Sequence, residues 1–476
     1  MSVRAQFAAL ATALLLLAAV PASAATKVQQ VTSPGGITAW LVEDHSLPVV
    51  TLVASFRGGA ALDPAGKAGL ASLTSDLLDE GAGTLDSQAF QGKLEDLASS
   101  LDFDAGADDM DASLRTVSAN LAPSLALLHL ALTVPRFDEG AVARVRSQLL
   151  AQLAEERTEP RYLSGRLWFE NAYGDHPYAR PEEGTPESVG RIAIADMRAL
   201  VKRRFAKDNL IIGVVGDVTS EALKRELDLT FGDLPAHAAL GKVPEMTVSA
   251  KAPLLLARMA IPQSVVTFGQ PGIKRDDPDW YAAYIVNHIL GGGGFSSRLT
   301  QEVRVKRGLA YSVYSTLVPL RHSGLILGGV ATRNSRVAES IDIIRAQWQR
   351  MHDDGPTAEE LENAKTYLTG SFVLGLDSTA RIAGMLVAIQ RDKLGIDYLD
   401  RRNTLIDKVT LADTKRVARR LLDPAKLSFV VVGSPEKLPG AKEIVLHGVA
   451  ASQAGELRRE PSVRQPPTGA GGGTVR

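Results

Sequence analysis

Cysteine is absent from all 476 residues. That removes a disulfide framework, a thiol nucleophile, a thiolate metal site and a lipid-bearing cysteine in one stroke, so stability must come from packing. Charge of one sign is also missing: 53 lysines and arginines face 54 aspartates and glutamates, for a formal net charge of −1. A phosphate-backbone binder would carry a basic excess, and nucleic acid is therefore not an expected partner. Long apolar runs are scarce. The one at Ala8 to Val20 spans thirteen residues, short of the ~20 needed to cross a bilayer, and nothing comparable follows. Arg4 precedes it and Ala22-Ser23-Ala24 follows it, the order of a cleavable signal peptide over residues 1–24. The expected product is periplasmic, without a membrane anchor.

What is present is enough chain for two or three domains at ~100–200 residues each. Ala193 to Val218 (AIADMRALVKRRFAKDNLIIGVVGDV) lies over Thr410 to Pro435 (TLADTKRVARRLLDPAKLSFVVVGSP) without a gap. Asp196 then falls on Asp413, Phe205 on Leu422 and Gly216 on Gly433. This is a tandem of two related halves. Each copy reads as a basic amphipathic helix, a break, and a buried β-branched strand at Leu210 to Val215 or Leu427 to Val432. In the first half, Ile37 to Glu43 and Val49 to Phe56 are strand-like around a turn at Asp44 to Pro48. Leu70, Leu73, Leu77 and Leu78 repeat at helical spacing, and Phe90, Leu94 and Leu97 form a second such stripe after an N-cap at Asp86 or Ser87. The fold class expected is α+β, a mainly antiparallel sheet packed against helices, made twice. The halves are placed at residues 25–240 and 241–450, joined through Pro235 to Pro253. The Gly-, Pro- and Arg-rich stretch 451–476 is expected to be disordered.

Four segments carry a resemblance: Phe56 to Ala71 (FRGGAALDPAGKAGLA), Gly174 to Val189 (GDHPYARPEEGTPESV), Arg204 to Val218, and above all Gly291 to Ser315 (GGGGFSSRLTQEVRVKRGLAYSVYS). Through them the chain resembles the pitrilysin-type zinc peptidases, in which a helix carries H-x-x-E-H and four related domains enclose a chamber as a clamshell. In that family the metal helix starts G-L-A-H, so the resemblance assigns the first histidine to Ser72, the glutamate to Ser75 and the second histidine to Asp76. The remaining glutamate ligand, counted back from Pro160, falls on Ala151 or Gln152. None of these matches. Catalytic zinc needs three protein ligands plus an open water position, and no two of the eight histidines are spaced to form another helical pair. No metal and no other cofactor is expected on this chain.

The resemblance also implies that Arg307 and Tyr311 grip a substrate backbone near the scissile bond. Both are strong donors, suited to a carbonyl oxygen turning into an oxyanion. Residue by residue, a blander account exists: a cation at the end of the Ser297 to Lys306 helix, closed by Gly308, and an aromatic in the Ala310 to Leu317 strand. Tyr314, on the opposite face of a regular strand, is expected in the core. Gly291 to Gly294 lack the Lys-Ser/Thr of a P-loop and read as a tight hinge-like turn. His176, without a partner base, reads as structural, and no G-x-S-x-G elbow supports a serine hydrolase. The resemblance thus implies a non-catalytic, substrate-binding subunit whose zinc resides on a homologous H-x-x-E-H-bearing partner, acting on peptides. A peptide-binding or scaffolding protein with the same fold is the alternative, and an autonomous metallopeptidase with unrecognised ligands is a third.

Overall fold

The computed structural model describes residues 27–446. The signal-peptide and tail expectations fall outside them. Two six-stranded sheets form the framework. The first uses β1 (Gln29–Thr32), β2 (Thr38–Glu43), β3 (Val49–Arg57), β6 (Ser100–Ala105), β7 (Asp109–Val117) and β8 (Leu210–Gly216), in the order β1-β2-β8-β3-β7-β6, with a small β4–β5 hairpin (Gly81–Ala82 and Leu85–Asp86) beside it. The second uses β9 (Leu254–Arg258), β10 (Gln263–Pro271), β11 (Ala310–Leu320), β12 (Ser323–Arg333), β13 (Ser428–Gly433) and β14 (Lys442–Ile444), in the order β11-β12-β10-β13-β9-β14. Pairing is antiparallel except β2 with β8 and β9 with both β13 and β14. The architecture is α+β, as expected.

The internal duplication is visible in this order: β2-β8-β3-β7-β6 and β9-β13-β10-β12-β11 are the same five-strand arrangement. Its finest detail concerns the paired glycines. Gly216 and Gly433 end equivalent strands at φ of 133° and 153°, and a Cβ on either would lie 2.0 Å from Val49 O or 2.2 Å from Ser264 Oγ. Only glycine meets both demands, which is why this residue repeats in the sequence.

Each sheet is covered on its second face by a helix from the other half. The Thr379–Arg391 helix lies on the first sheet, where Thr51 and Thr379 share a hydrogen bond at 2.8 Å and Gln390 donates to Ile212 O at 2.9 Å. Gly213 lets it approach, since a Cβ there would be 2.6 Å from Ala383 O. Conversely, the Pro160–Tyr173 helix lies on the second sheet, with Ser164 bonded to Thr267 at 2.8 Å and Trp168 Nε1 donating to Ser428 Oγ at 3.1 Å. This exchange explains why β3, β8 and β13 are buried on both faces and read as continuous apolar runs. Asp109 on β7 joins it, paired with Arg321 at 2.7 Å and Arg391 at 3.3 Å.

Candidate functional site

The Gly291 to Ser315 segment is wound tightly against β11. The Trp280–Asn287 helix continues through the wider π-wound turn His288–Gly292, a short 3₁₀ turn at Gly294–Ser296 and a second π-wound piece at Thr300–Val305. Three of the four glycines thus lie in helical turns rather than in a hinge, and of the four only Gly294 has a left-handed φ, at 58°. Their physical reason is contact: a Cβ on Gly291 would be 2.4 Å from Ser315 Oγ, while Asn287 holds Ser315 from both ends at 3.1 and 2.8 Å. Gly308, at φ 60°, closes the second helical piece as the sequence predicts.

Arg307 folds back on that helix, donating to Glu302 O at 2.8 Å and Glu302 Oε2 at 2.5 Å. Lys306 pairs with the same carboxylate at 2.6 Å, and hydrogen bonds from Lys306 and then Arg307 hold Glu302 below its usual range. Tyr311 is 84% exposed. Its ring meets the Arg304 guanidinium at 4.7 Å, and Arg304 also stands 4.6 Å over the exposed Phe295 ring, a cation held between two aromatic faces. Glu302, Arg304 and Phe295 escaped the sequence reading because nothing but three-dimensional proximity marks them. Tyr314 corrects an expectation. It is exposed, not core, because the pairing of β11 with β12 slips between Ala310 and Val313. The bulge turns Val313 and Ser315 inward and leaves Tyr314 outside, against Gly329.

The positions matched to the absent metal ligands gather in the first half. The Leu70–Ser75 helix opens at Gly69, whose φ is 90° and where a Cβ would lie 2.5 Å from Glu183 O, so there is no room for a side chain. Ser75, Asp76 and Gln152 line one cleft of about 370 Å³ with Asp79, Glu80, Asp102 and Gln148. Gln152, not Ala151, is therefore the residue that shares the cleft with the helix; Ser72 does not line it. Burial, then the charges of Asp79, Asp104 and Glu183, push the Asp76 carboxyl up to about 6, although it remains open to solvent on the cleft side. Burial raises Asp79 to about 6 against a hydrogen bond from Gln91, and Glu182 to about 7 with help from Glu183. Hydroxyls, an amide and scattered carboxylates do not fit a zinc ion, and among the described residues no group of three His, Cys, Asp or Glu side chains is arranged to hold a metal. Elemental analysis of the purified chain is expected to find no stoichiometric zinc; one tightly held zinc per chain would contradict this.

The same cleft makes a stability prediction. Asp76 titrates near 6 when folded and near ~3.9 when unfolded. Its ionisation thus costs folded stability, a penalty absent below the unfolded pKa and complete above the folded one. With allowance for solvent screening, Asp76→Asn should raise the melting temperature by about 1–3 °C at neutral pH and leave it unchanged near pH 4. Equal shifts at both pH values would show that like-charge crowding is not the cause. His176 is structural, with Nε2 2.9 Å from Pro244 O and Nδ1 accepting from the Tyr178 amide at 3.2 Å.

Comparison with known proteins fits these observations. Residues 191–368 match the family described as Peptidase M16 inactive domain. A solved Pseudomonas fluorescens structure described as a peptidase M16 inactive domain superposes with a TM-score of 0.81 at 30% identity, over 88% of this chain and 100% of that one. The chain belongs to the M16, pitrilysin-type peptidase family. A Helicobacter pylori relative named a non-peptidase homolog, YmxG, is 28% identical over 395 residues, covering 83% of this chain and 91% of the relative. A Streptomyces coelicolor protein named an uncharacterized zinc protease is 30% identical over 297 residues, 60% of this chain and 64% of that protein. The chain is thus similar to relatives named both as proteases and as non-peptidases.

Proposed function

We propose that this M16 chain is the non-catalytic, substrate-binding subunit of a two-chain periplasmic zinc peptidase. A homologous chain bearing H-x-x-E-H supplies zinc and general base, and this one supplies Arg307 and Tyr311. The observation that carries the reading is the split within one polypeptide. Ser75, Asp76 and Gln152 occupy the cleft of the metal positions and cannot bind zinc, whereas Arg307 and Tyr311, which need no metal, remain at the surface beside β11. That strand is an edge of the second sheet, where an extended peptide can add by main-chain hydrogen bonds. The substrates are peptides that are small or unfolded.

Engagement requires Arg307 to exchange Glu302 for a substrate carbonyl. The exchange is feasible because the pair is solvent-exposed on the arginine side, where an ion pair is worth little. A second reading, a peptide-binding scaffold without catalytic partner, draws on the same contact, since a helix-ending arginine satisfied by Glu302 also fits plain packing. Co-expression with a secreted H-x-x-E-H relative separates them. Under the subunit reading, peptide cleavage requires both chains and stops with a chelator; cleavage by the partner alone at the full rate favours the scaffold.

A further inference from the structure

Tyr311 is open to solvent, so its own packing does not fix where its phenol stands. Nor does the sheet. The pairing of β11 with β12 passes from Ala310 opposite Thr332 to Val313 opposite Val330, and the bulge between them takes Tyr311 and Ser312 out of the ladder. The course of the chain through Tyr311 is therefore set from either side of the bulge. Before it, Thr332 Oγ1 donates to Leu309 O at 2.7 Å, a contact made by the neighbouring strand.

After it, the contacts come from the helical segment that precedes β11. Thr300 Oγ1 donates to Val313 O at 3.3 Å. Asn287 brackets Ser315, with Nδ2 donating to its carbonyl at 3.1 Å and Oδ1 accepting from its hydroxyl at 2.8 Å. Asn287, Thr300 and Ser315 are all buried, where a hydrogen bond that loses one partner leaves the other unsatisfied. The wide turns place both donors. Asn287 immediately precedes the π-wound turn His288–Gly292, in which Gly293 N reaches back five residues to His288 O at 2.7 Å. Thr300 opens the second π-wound piece, in which Lys306 N does the same to Gln301 O at 2.9 Å. Such turns are rare and gather at functional sites. The piece that Thr300 opens carries Arg304, which lies over the Tyr311 ring, and runs on into Arg307.

We propose that Asn287 and Thr300 are positioning residues: they pin β11 to this helical segment and so fix where Tyr311 stands relative to Arg304 and Arg307. Both are buried and neither is a substrate contact. Without the pins the bulged backbone has no tie on its far side except the ladder that resumes at Val313, and a donor misplaced by ~1 Å is enough to cost ~100-fold in rate. The rate consequence rests on the proposed subunit role; the pinning itself does not.

Two readouts test this. In the full chain alone, amide hydrogen exchange followed by mass spectrometry should quicken about 5- to 10-fold over residues 309–314 in Thr300→Val and in Asn287→Ala, with the rest of the second half unchanged. Thr300→Ser, which keeps the hydroxyl, should exchange like the parent chain. In the complex with an H-x-x-E-H-bearing partner, Thr300→Val should lower kcat about 10-fold with little change in KM, and should lower it no further once Tyr311→Phe is also present. Unchanged exchange over 309–314 in the folded variants overturns the proposal. So does faster exchange spread across the whole second half, a Thr300→Ser chain that behaves like Thr300→Val, or a kcat loss that persists in full beside Tyr311→Phe. If Tyr311→Phe by itself leaves turnover unchanged, the subunit reading falls, and the exchange measurement alone decides the pins.

Discussion

In a complex reconstituted with an H-x-x-E-H-bearing partner, Arg307→Ala or Tyr311→Phe is expected to lower turnover by about 10- to 1,000-fold, the range for losing one oxyanion donor. Neither residue can be held in place by the fold alone. Arg307 is tied to Glu302 across an exposed contact and Tyr311 is open to solvent, so loss of either removes little packing. A structural explanation would therefore predict near-wild-type turnover with unchanged melting. The loss should fall mainly on kcat rather than KM if the donors strengthen in the transition state. Lysine at position 307 should rescue only part of it, because a point charge cannot reproduce the planar fork. Unchanged turnover in both variants, with the complex intact by gel filtration, removes the clamp from the mechanism.

Glu302 refines that experiment. It receives both Lys306 and Arg307, and under the proposed role it would compete with substrate for the guanidinium. Arg304 lies against one face of the Tyr311 ring. Arg307 and Tyr311 thus each meet a charged neighbour, Glu302 and Arg304, that no motif would single out.

What was legible in the sequence was whatever depends on local repetition. The gapless overlay of Asp196 on Asp413 and Gly216 on Gly433 announced the duplicated strand arrangement, because the same glycine must meet the same backbone collision in both halves. Gly308 was legible for a similar reason. The helix exchange was not. Helical periodicity in Pro160–Tyr173 and Thr379–Arg391 says that an apolar face exists, not which sheet receives it. Tyr314 was misplaced because alternation presumes an unbroken ladder, and a bulge is invisible to a two-residue period. At the degenerate metal positions, spacing located Ser75 and Asp76 together. The acidity of the cleft stayed hidden because Asp102 arrives from β6 and the charge of Glu183 bears on Asp76 from a distant loop.

The exchanged helices also set the largest stability effect. Trp168 is fully buried, yet it belongs by chain position to the first half and by contact to the second. Its indole fills the space above Gly269, where a Cβ would be only 2.6 Å from Cζ2, and its N–H reaches Ser428 on β13. Trp168→Ala removes the ring, takes away the N–H that donates to the Ser428 hydroxyl and opens a cavity between the halves, a cost of about 3–5 kcal/mol. For a protein of this size that lowers the melting temperature by roughly 3–6 °C. The instructive control is Trp348, equally buried but bonded to Gln270 inside the second half. Trp348→Ala should destabilise the second half while the first keeps its protection from proteolysis. Trp168→Ala should expose both, since the helix that covers β10 and β13 is the one that tethers residues 27–240 to them. If the two variants give the same cleavage pattern, the exchange does not couple the halves, and the sheets stand as independent units.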